Sequence, residues 1–168
     1  MDWIEELARD WAREDPQLDF SGLPPIIRLA RLGTLIDSFQ NDVLAPFELT
    51  PADYAVLATL RRAGRPFSLS PSQLYGQLRR SSGGMTKILK RLEESMLVER
   101  TRDPEDGRGM RVTLTARGVT LHDRVFRAFA AASSRLLASL SNPEKNEIDR
   151  ALKRTLDALE GQSEGSVA

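Results

Sequence analysis

The chain has 168 residues, 40% hydrophobic and 29% charged, with 24 acidic side chains against 24 basic ones and a formal net charge of zero. That length and balance suit one packed domain with an added arm and argue against wholesale disorder. Cysteine is absent and histidine occurs once, at His122, which excludes disulfide scaffolds, thiolate metal sites, thiol redox sensing and paired-histidine centres.

No run approaches the roughly 18 apolar residues that span a bilayer. The acidic start, MDWIEELARDWARED, is unlike a signal peptide, so a cytoplasmic protein is expected. The neutral total hides a sorted distribution. Residues 1–20 hold seven acidic side chains against Arg9 and Arg13. Nothing acidic lies between Asp53 and Glu93, a stretch that carries Arg61, Arg62, Arg65, Arg79, Arg80, Lys87, Lys90 and Arg91. An acidic arm beside a basic middle is the footprint expected of a face that binds a polyanion.

The first predicted element is a helix from about Trp3 to Arg13, with Trp3, Ile4, Leu7, Ala8 and Trp11 on one stripe. EDPQLDFSGLPP breaks it, setting off residues 1–20 as an arm. A long helix follows from about Pro24 to residue 45, its apolar face formed by Ile26, Ile27, Ala30, Leu35, Ile36, Phe39 and Val43. Thr50 caps the next helix, with Pro51 in its first position and Asp53 complementing its start; this helix carries Val56, Leu57 and Leu60 and stops at Gly64. Ser70–Pro71–Ser72–Gln73 fits an S-x-x-Q capping box for a short helix ending near Leu78.

Ser81 or Ser82 then caps a helix through GGMTKILKRLEE. Met85, Ile88, Leu89 and Leu92 form its buried stripe, and Thr86, Lys87, Lys90, Arg91 and Glu94 its opposite face. Met96, Leu97 and Val98 lead into a strand, a DPEDGRG tip and a return strand in which Met110, Val112 and Leu114 alternate with Arg111 and Thr113. Thr115 caps a long helix to about Leu140, with His122 expected on its surface. Ser141 to Glu144 form an S-x-x-E box opening a last amphipathic helix through Leu152, Leu156 and Leu159, and residues 162–168 read as a frayed tail.

Helix, short helix, tight turn, helix and hairpin in that order describe a winged helix-turn-helix, with the helix-turn-helix at about 70–94 and the wing at about 98–115. The predicted fold class is mainly α with a small β-wing. A helix that enters the major groove needs small residues at its N-terminus so that backbone N–H groups approach phosphate, and SSGG supplies them. Its exposed face should mix hydrogen-bonding and cationic side chains, with Thr86 and Lys87 toward base edges and Lys90 and Arg91 toward phosphates. An arginine at the wing tip suits the narrow minor groove alongside. The candidate DNA contacts are therefore Ser72, Gln73, Ser81, Ser82, Gly83, Thr86, Lys87, Lys90, Arg91, Arg108 and Arg111. Asp106 has two readings: it orients the Arg108 guanidinium, or it is an Asx-turn residue. No nucleophile–base set and no phosphate-cradling glycine loop followed by Lys-Ser/Thr is present, so catalysis, cofactors and metals are not expected. A winged helix that docks a protein instead of DNA is the alternative reading, and the basic face weighs against it.

These residues resemble the MarR-type (multiple antibiotic resistance) transcriptional regulators. DGRGMRVTLT is similar to the family's D-x-R-x5-L-T wing signature at Asp106, Arg108, Leu114 and Thr115. LTPADYAVLATLRRAG resembles its second helix, and LSPSQLYGQLRRSSGGMTKILKRLEESMLVER its helix-turn-helix running into the wing. The resemblance covers about residues 23–160. It implies double-stranded DNA as partner, a pseudo-palindromic operator, a homodimeric repressor and release by a small-molecule effector. Residues 21–161 would form the domain, dimerised through N- and C-terminal helices at about 24–45 and 116–160. The arm resembles a narrower branch, the urate-responsive regulators, whose added first helix carries a ligand-site tryptophan; Trp11 stands at that place. It is either a ligand residue or an aromatic anchor. The branch's helix-two aspartate and recognition-helix arginine correspond here to Ala55 and Ile88, which removes the groups that would hold an anionic purine.

Overall fold

A computed structural model describes residues 2–78, 82–103 and 109–165. Most of its helices begin where side chains close their first turns. Asp2 accepts from the Ile4 amide at 3.0 Å and opens α1 (Trp3–Glu14). The longer α2 (Leu23–Leu44) follows and ends in a 3-10 turn, Ala45–Phe47. Thr50 and Asp53 form a reciprocal capping box for α3 (Pro51–Arg62), and a two-residue strand, β1 (Ser68–Leu69), comes next. At α4 (Pro71–Leu78) the Ser70 amide donates to Gln73 Oε1 at 2.9 Å and the Gln73 amide to Ser70 Oγ at 3.2 Å. After α5 (Ser82–Glu94) come β2 (Val98–Arg102) and β3 (Met110–Leu114). Thr115 Oγ1 accepts from the Gly118 amide at 3.0 Å at the start of α6 (Ala116–Leu136). Ser141 and Glu144 close the start of α7 (Asn142–Gly165), and those hydrogen bonds hold the Glu144 carboxyl below its ordinary value.

The chain divides into two units, Met1–Val125 and Phe126–Ala168. The core of the first is one cluster: Val56, Leu57 and Leu60 of α3, Leu74 of α4, Met85, Ile88, Leu89 and Leu92 of α5, and Val98, Val112 and Leu114 of the strands. Its arm stays with it, because Ile4 is buried where α1 packs on α2, and Arg28 of α2 reaches Asp2 and Glu5. The second unit, the end of α6 and α7, leaves Phe126, Leu136, Leu137, Ile148, Leu152, Leu156 and Leu159 exposed.

Four features depart from the sequence reading. The hairpin belongs to a three-stranded sheet in the order β1-β3-β2, where β1 pairs antiparallel with Val112 and Thr113. Two residues between prolines are too short to leave a periodic signal. His122 is buried, 8% exposed, rather than on a helix surface, because its ring stacks on Tyr54 of α3 with centroids 5.7 Å apart. The α6 helix ends at Leu136, short of Leu140. The last helix runs to Gly165 where a tail from 162 was expected: Gln162 and Glu164 favour helix, and Gly161 costs only about 1 kcal/mol relative to alanine; residues 166–168 lie outside the described ones.

The turn after α5 holds the unit together through main chain. The Met96 amide donates to the Glu93 carbonyl at 2.8 Å and the Leu97 amide to the Leu92 carbonyl at 2.9 Å, the paired bonds of a Schellman cap. Buried Leu92 and Leu97 supply its apolar contact. The left-handed position of that cap is filled by Met96, at φ 56°, instead of glycine. The Leu97 carbonyl then accepts from the Thr115 amide at 3.1 Å, and Thr115 Oγ1 donates to the Met96 carbonyl at 2.7 Å. A Cβ on Gly118 would stand 2.0 Å from the Leu97 carbonyl oxygen, so α6 lies against this turn only because residue 118 has no side chain.

Two substitutions at this turn should act in opposite directions in thermal unfolding. Met96→Gly relieves the left-handed strain and should stabilise by about 0.5–1 kcal/mol. Gly118→Ala drives a methyl into backbone and should destabilise by at least about 2 kcal/mol.

Candidate nucleic-acid interface

The interface is built on α5, whose two faces separate cleanly. Met85, Leu89 and Leu92 are at most 1% exposed and Ile88 only 8%, while Thr86, Lys87, Lys90 and Arg91 face solvent. The apolar stripe buried against α3 therefore fixes which side chains point outward. Lys90 Nζ lies 3.8 Å from Glu94, an exposed pair one turn apart. Such a pair contributes only a few tenths of a kcal/mol, so Glu94 holds Lys90 only weakly.

Arg91 sits differently. Its Nε and Nη2 both donate to Asp53 Oδ1, at 3.1 and 2.5 Å, and Nη2 lies 3.4 Å from Thr50 Oγ1. Asp53 is 1% exposed, and its other oxygen accepts from the Thr50 amide at 2.9 Å and the Thr50 hydroxyl at 2.7 Å. A carboxylate this deep needs donors on both oxygens, and Arg91 supplies the positive charge that balances it. The guanidinium assigned to phosphate from sequence thus braces α5 against the start of α3. The pair was invisible in sequence because its members are 38 residues apart.

Arg111 is likewise engaged within the protein. Its Nε donates to Asp103 at 3.0 Å, and the Asp103 amide donates to the Gly109 carbonyl at 2.8 Å, so the two strands are clasped at the neck of the wing. Ser72 and Gln73 are exposed at the start of α4, but the Gln73 carbonyl oxygen is used in the capping box and Ser72 Oγ lies 2.9 Å from Ser70 Oγ. Arg79, Arg80, Ser81, Asp106 and Arg108 lie outside the described residues; Ser82 and Gly83 are placed by their backbone in the first turn of α5.

Trp11 is 52% exposed on α1. Ile88, matched by resemblance to a ligand-holding arginine, belongs to the core. An aspartate of α3 and an arginine of α5 are nonetheless in contact, as Asp53 and Arg91, two residues before Ala55 and three after Ile88.

A second polar cluster ties α6 to α3. His122 Nδ1 lies 3.0 Å from Asp123 Oδ1, which also accepts from Arg61 Nε at 3.2 Å. The His122 hydrogen bond, then Arg61, holds the Asp123 carboxyl below its ordinary value; burial, then Asp123, pushes the Tyr54 phenol up. Beside it is a cleft of about 810 Å³, lined among others by Pro46, Phe47, Arg117, Thr120 and Arg124, with the Arg124 guanidinium 5.7 Å from the Phe47 ring centre. Among the described residues, no group of three acidic or histidine side chains could hold a metal ion, and no helix is long and apolar enough to cross a membrane.

Residues 47–109 match the family model described as MarR family. The transcriptional regulator PecS of Dickeya dadantii is 30% identical over 151 residues, covering 90% of this chain and 91% of that protein. The transcriptional repressor Mb2911 of Mycobacterium bovis is 30% identical over 126 residues, 75% of this chain and 88% of that one. Among solved structures, a mutant MarR from E. coli complexed with operator DNA superposes with a TM-score of 0.66 at 29% identity, covering 79% of this chain and 96% of that one.

The Asp53 brace separates two kinds of mutant. Arg91→Ala leaves a buried carboxylate short of its cation and should lower folding stability by about 1–3 kcal/mol. Lys90→Ala should stay within about 0.5 kcal/mol of the wild type. Urea unfolding of both proteins measures the difference, and equal midpoints would show that Arg91 is not a brace.

Proposed function

Since the chain belongs to the MarR family of transcriptional regulators, we propose that it is a homodimeric repressor that binds a pseudo-palindromic operator in the cytoplasm and lets go when a small effector binds. The observation that carries the DNA reading is the exposed face of α5. Thr86, Lys87 and Lys90 project from a helix anchored by a fully buried stripe, within a stretch that holds no acidic residue from 54 to 92. Thr86 and Lys87, nearer the helix start, read base edges, and Lys90 meets phosphate. Arg108 of the wing, with Asp106 as the residue that orients it, takes the neighbouring minor groove, supported by the Asp103–Arg111 clasp that closes the wing's neck. Arg91 contributes by setting α5. The DNA complex of the MarR structural neighbour supports this reading, and the repressor name of the Mycobacterium relative supports the direction of control.

The homodimer is supported by apolar surface that one chain leaves open. Ile26, Leu32, Leu35 and Ile36 of α2 are each more than 40% exposed, as are Phe126, Leu156 and Leu159 in the second unit. A second copy that covers these faces removes them from water and sets two α5 helices on successive turns of DNA. A small anionic effector has a fitting place in the cleft of Phe47, Arg117 and Arg124, where guanidinium and ring supply charge and stacking together. No catalytic role is assigned to any residue.

Fluorescence anisotropy tests the reading, with the intergenic DNA beside the protein's own gene and a scrambled duplex as probes across a salt series. The native fragment should bind more tightly, with a steep salt dependence. Lys90→Ala should flatten that slope by about one unit on both duplexes. Thr86→Ala and Lys87→Ala should change the preference between duplexes, at about 1–3 kcal/mol for each base edge that is no longer read. If these variants behaved like Lys90→Ala, the division of the α5 face between bases and phosphates would be wrong. Absence of binding to either duplex at low salt would favour a protein-docking winged helix.

A further inference from the structure

Beyond the contacts that read DNA, one ion pair spans the turn between the recognition helix and the wing. Arg100 lies in the middle of β2, opposite Val112 of β3. Its Nη2 lies 2.8 Å from Glu93 Oε2 in the last turn of α5, with the two side chains 29% and 33% exposed. Arg100 Nε is sealed from solvent and finds no acceptor among the described residues.

The pair is poorly explained by folding alone. A buried donor without an acceptor opposes folding. A partly buried ion pair seldom contributes more than an apolar pair of the same volume. What the pair does hold is an angle. The Schellman turn at Met96 fixes the main chain where α5 ends, and β1 flanks β3 as far as Val112, opposite Arg100; beyond that level β2 and β3 run on as a two-stranded ribbon toward the wing tip. Arg100 is the residue of β2 that ties the ribbon back to the helix by charge. From Arg100 to the neck at Asp103 the strand advances about 10 Å at roughly 3.3 Å per residue, so a small rotation at residue 100 becomes a displacement comparable to a hydrogen-bond length further out.

We propose that Glu93 and Arg100 are positioning residues that fix the tilt of the wing relative to α5, so that helix and wing engage adjacent grooves of one duplex in a single register. The proposal rests on the DNA-binding reading and deepens it. The pair presets the geometry that both elements need, and the bound duplex does not have to impose it. Removing the pair should leave the charge that attracts any duplex almost unchanged, while weakening the complex in which both elements must fit at once.

The test uses the full chain and four proteins: wild type, Glu93→Gln, the apolar double variant E93M/R100M and the reversed pair E93R/R100E. Each is titrated by anisotropy against the preferred fragment and the scrambled duplex, and melted thermally. Glu93→Gln and the apolar double variant should bind the preferred fragment about tenfold more weakly, a loss typical of surrendered preorganisation, with less than about a twofold change on the scrambled duplex. The reversed pair should recover most of the preference. The melting midpoint of the apolar double variant should match or exceed the wild type. Undiminished preference in Glu93→Gln and in the apolar variant would overturn this proposal alone. So would parallel losses of midpoint and of affinity for both duplexes, since the pair would then be merely structural. A wild type that binds neither duplex would overturn the regulator reading and this proposal with it.

Discussion

A carboxylate with 1% of its surface in contact with water must be met by hydrogen-bond donors on both oxygens. Asp53 is that carboxylate, and the first unit is arranged around meeting its demand. One oxygen closes the first turn of α3 through Thr50; the other collects two N–H groups of Arg91 from α5. A single side chain therefore starts one helix and orients another. The apolar stripe of α5 sets how deep that helix lies, but an apolar face tolerates sliding and rotation. A guanidinium–carboxylate contact made through two N–H groups has a preferred plane and distance, so it removes the freedom that packing leaves.

What could be read in advance divides along sequence separation. The starts of α3, α4, α6 and α7 were legible because a capping residue and its amide partner are three residues apart, and Thr50, Ser70, Thr115 and Ser141 all cap. The α5 stripe was legible for the same reason: helical period is a local property. Interactions that join distant segments were not. Asp53 looked like a helix-start charge and Arg91 like a phosphate contact; neither residue signals the other across 38 positions. Arg111 looked like a wing-tip cation until the return of the chain put Asp103 beside it. His122, the one histidine, reads as a surface residue on a polar helix face until Tyr54 arrives to stack on it. β1 has two residues and gains its identity only from pairing with β3.

Charge is sorted in space as well as along the chain, through contacts of very different strength. The arm's Asp2 and Glu5 are occupied by Arg28, which draws part of the acidic segment onto α2. Arg61 and Arg91, two of the eight cations in the basic middle, are answered by Asp123 and Asp53. Lys87 and Lys90 stay at the surface of α5. The positive character of the α5 surface thus falls to lysines, which are compact and strongly hydrated, whereas these arginines, with their planar forks, fix helices in place.

The turn at Met96 and Leu97 has a consequence for how freely this sequence can drift. Three elements meet there, the end of α5, the start of β2 and the first turn of α6, and they meet mainly through carbonyls and amides. A joint made of main chain is nearly indifferent to which side chains surround it. Substitution can therefore accumulate on all three elements while their crossing stays the same. The exceptions are the buried Leu92 and Leu97, the Thr115 hydroxyl, and residue 118, where the Leu97 carbonyl occupies the space of a methyl group. Tolerance across the neighbourhood is secured by intolerance at these few positions, and a library of variants through this region should show a broad plain of acceptable sequences, broken most sharply at the glycine.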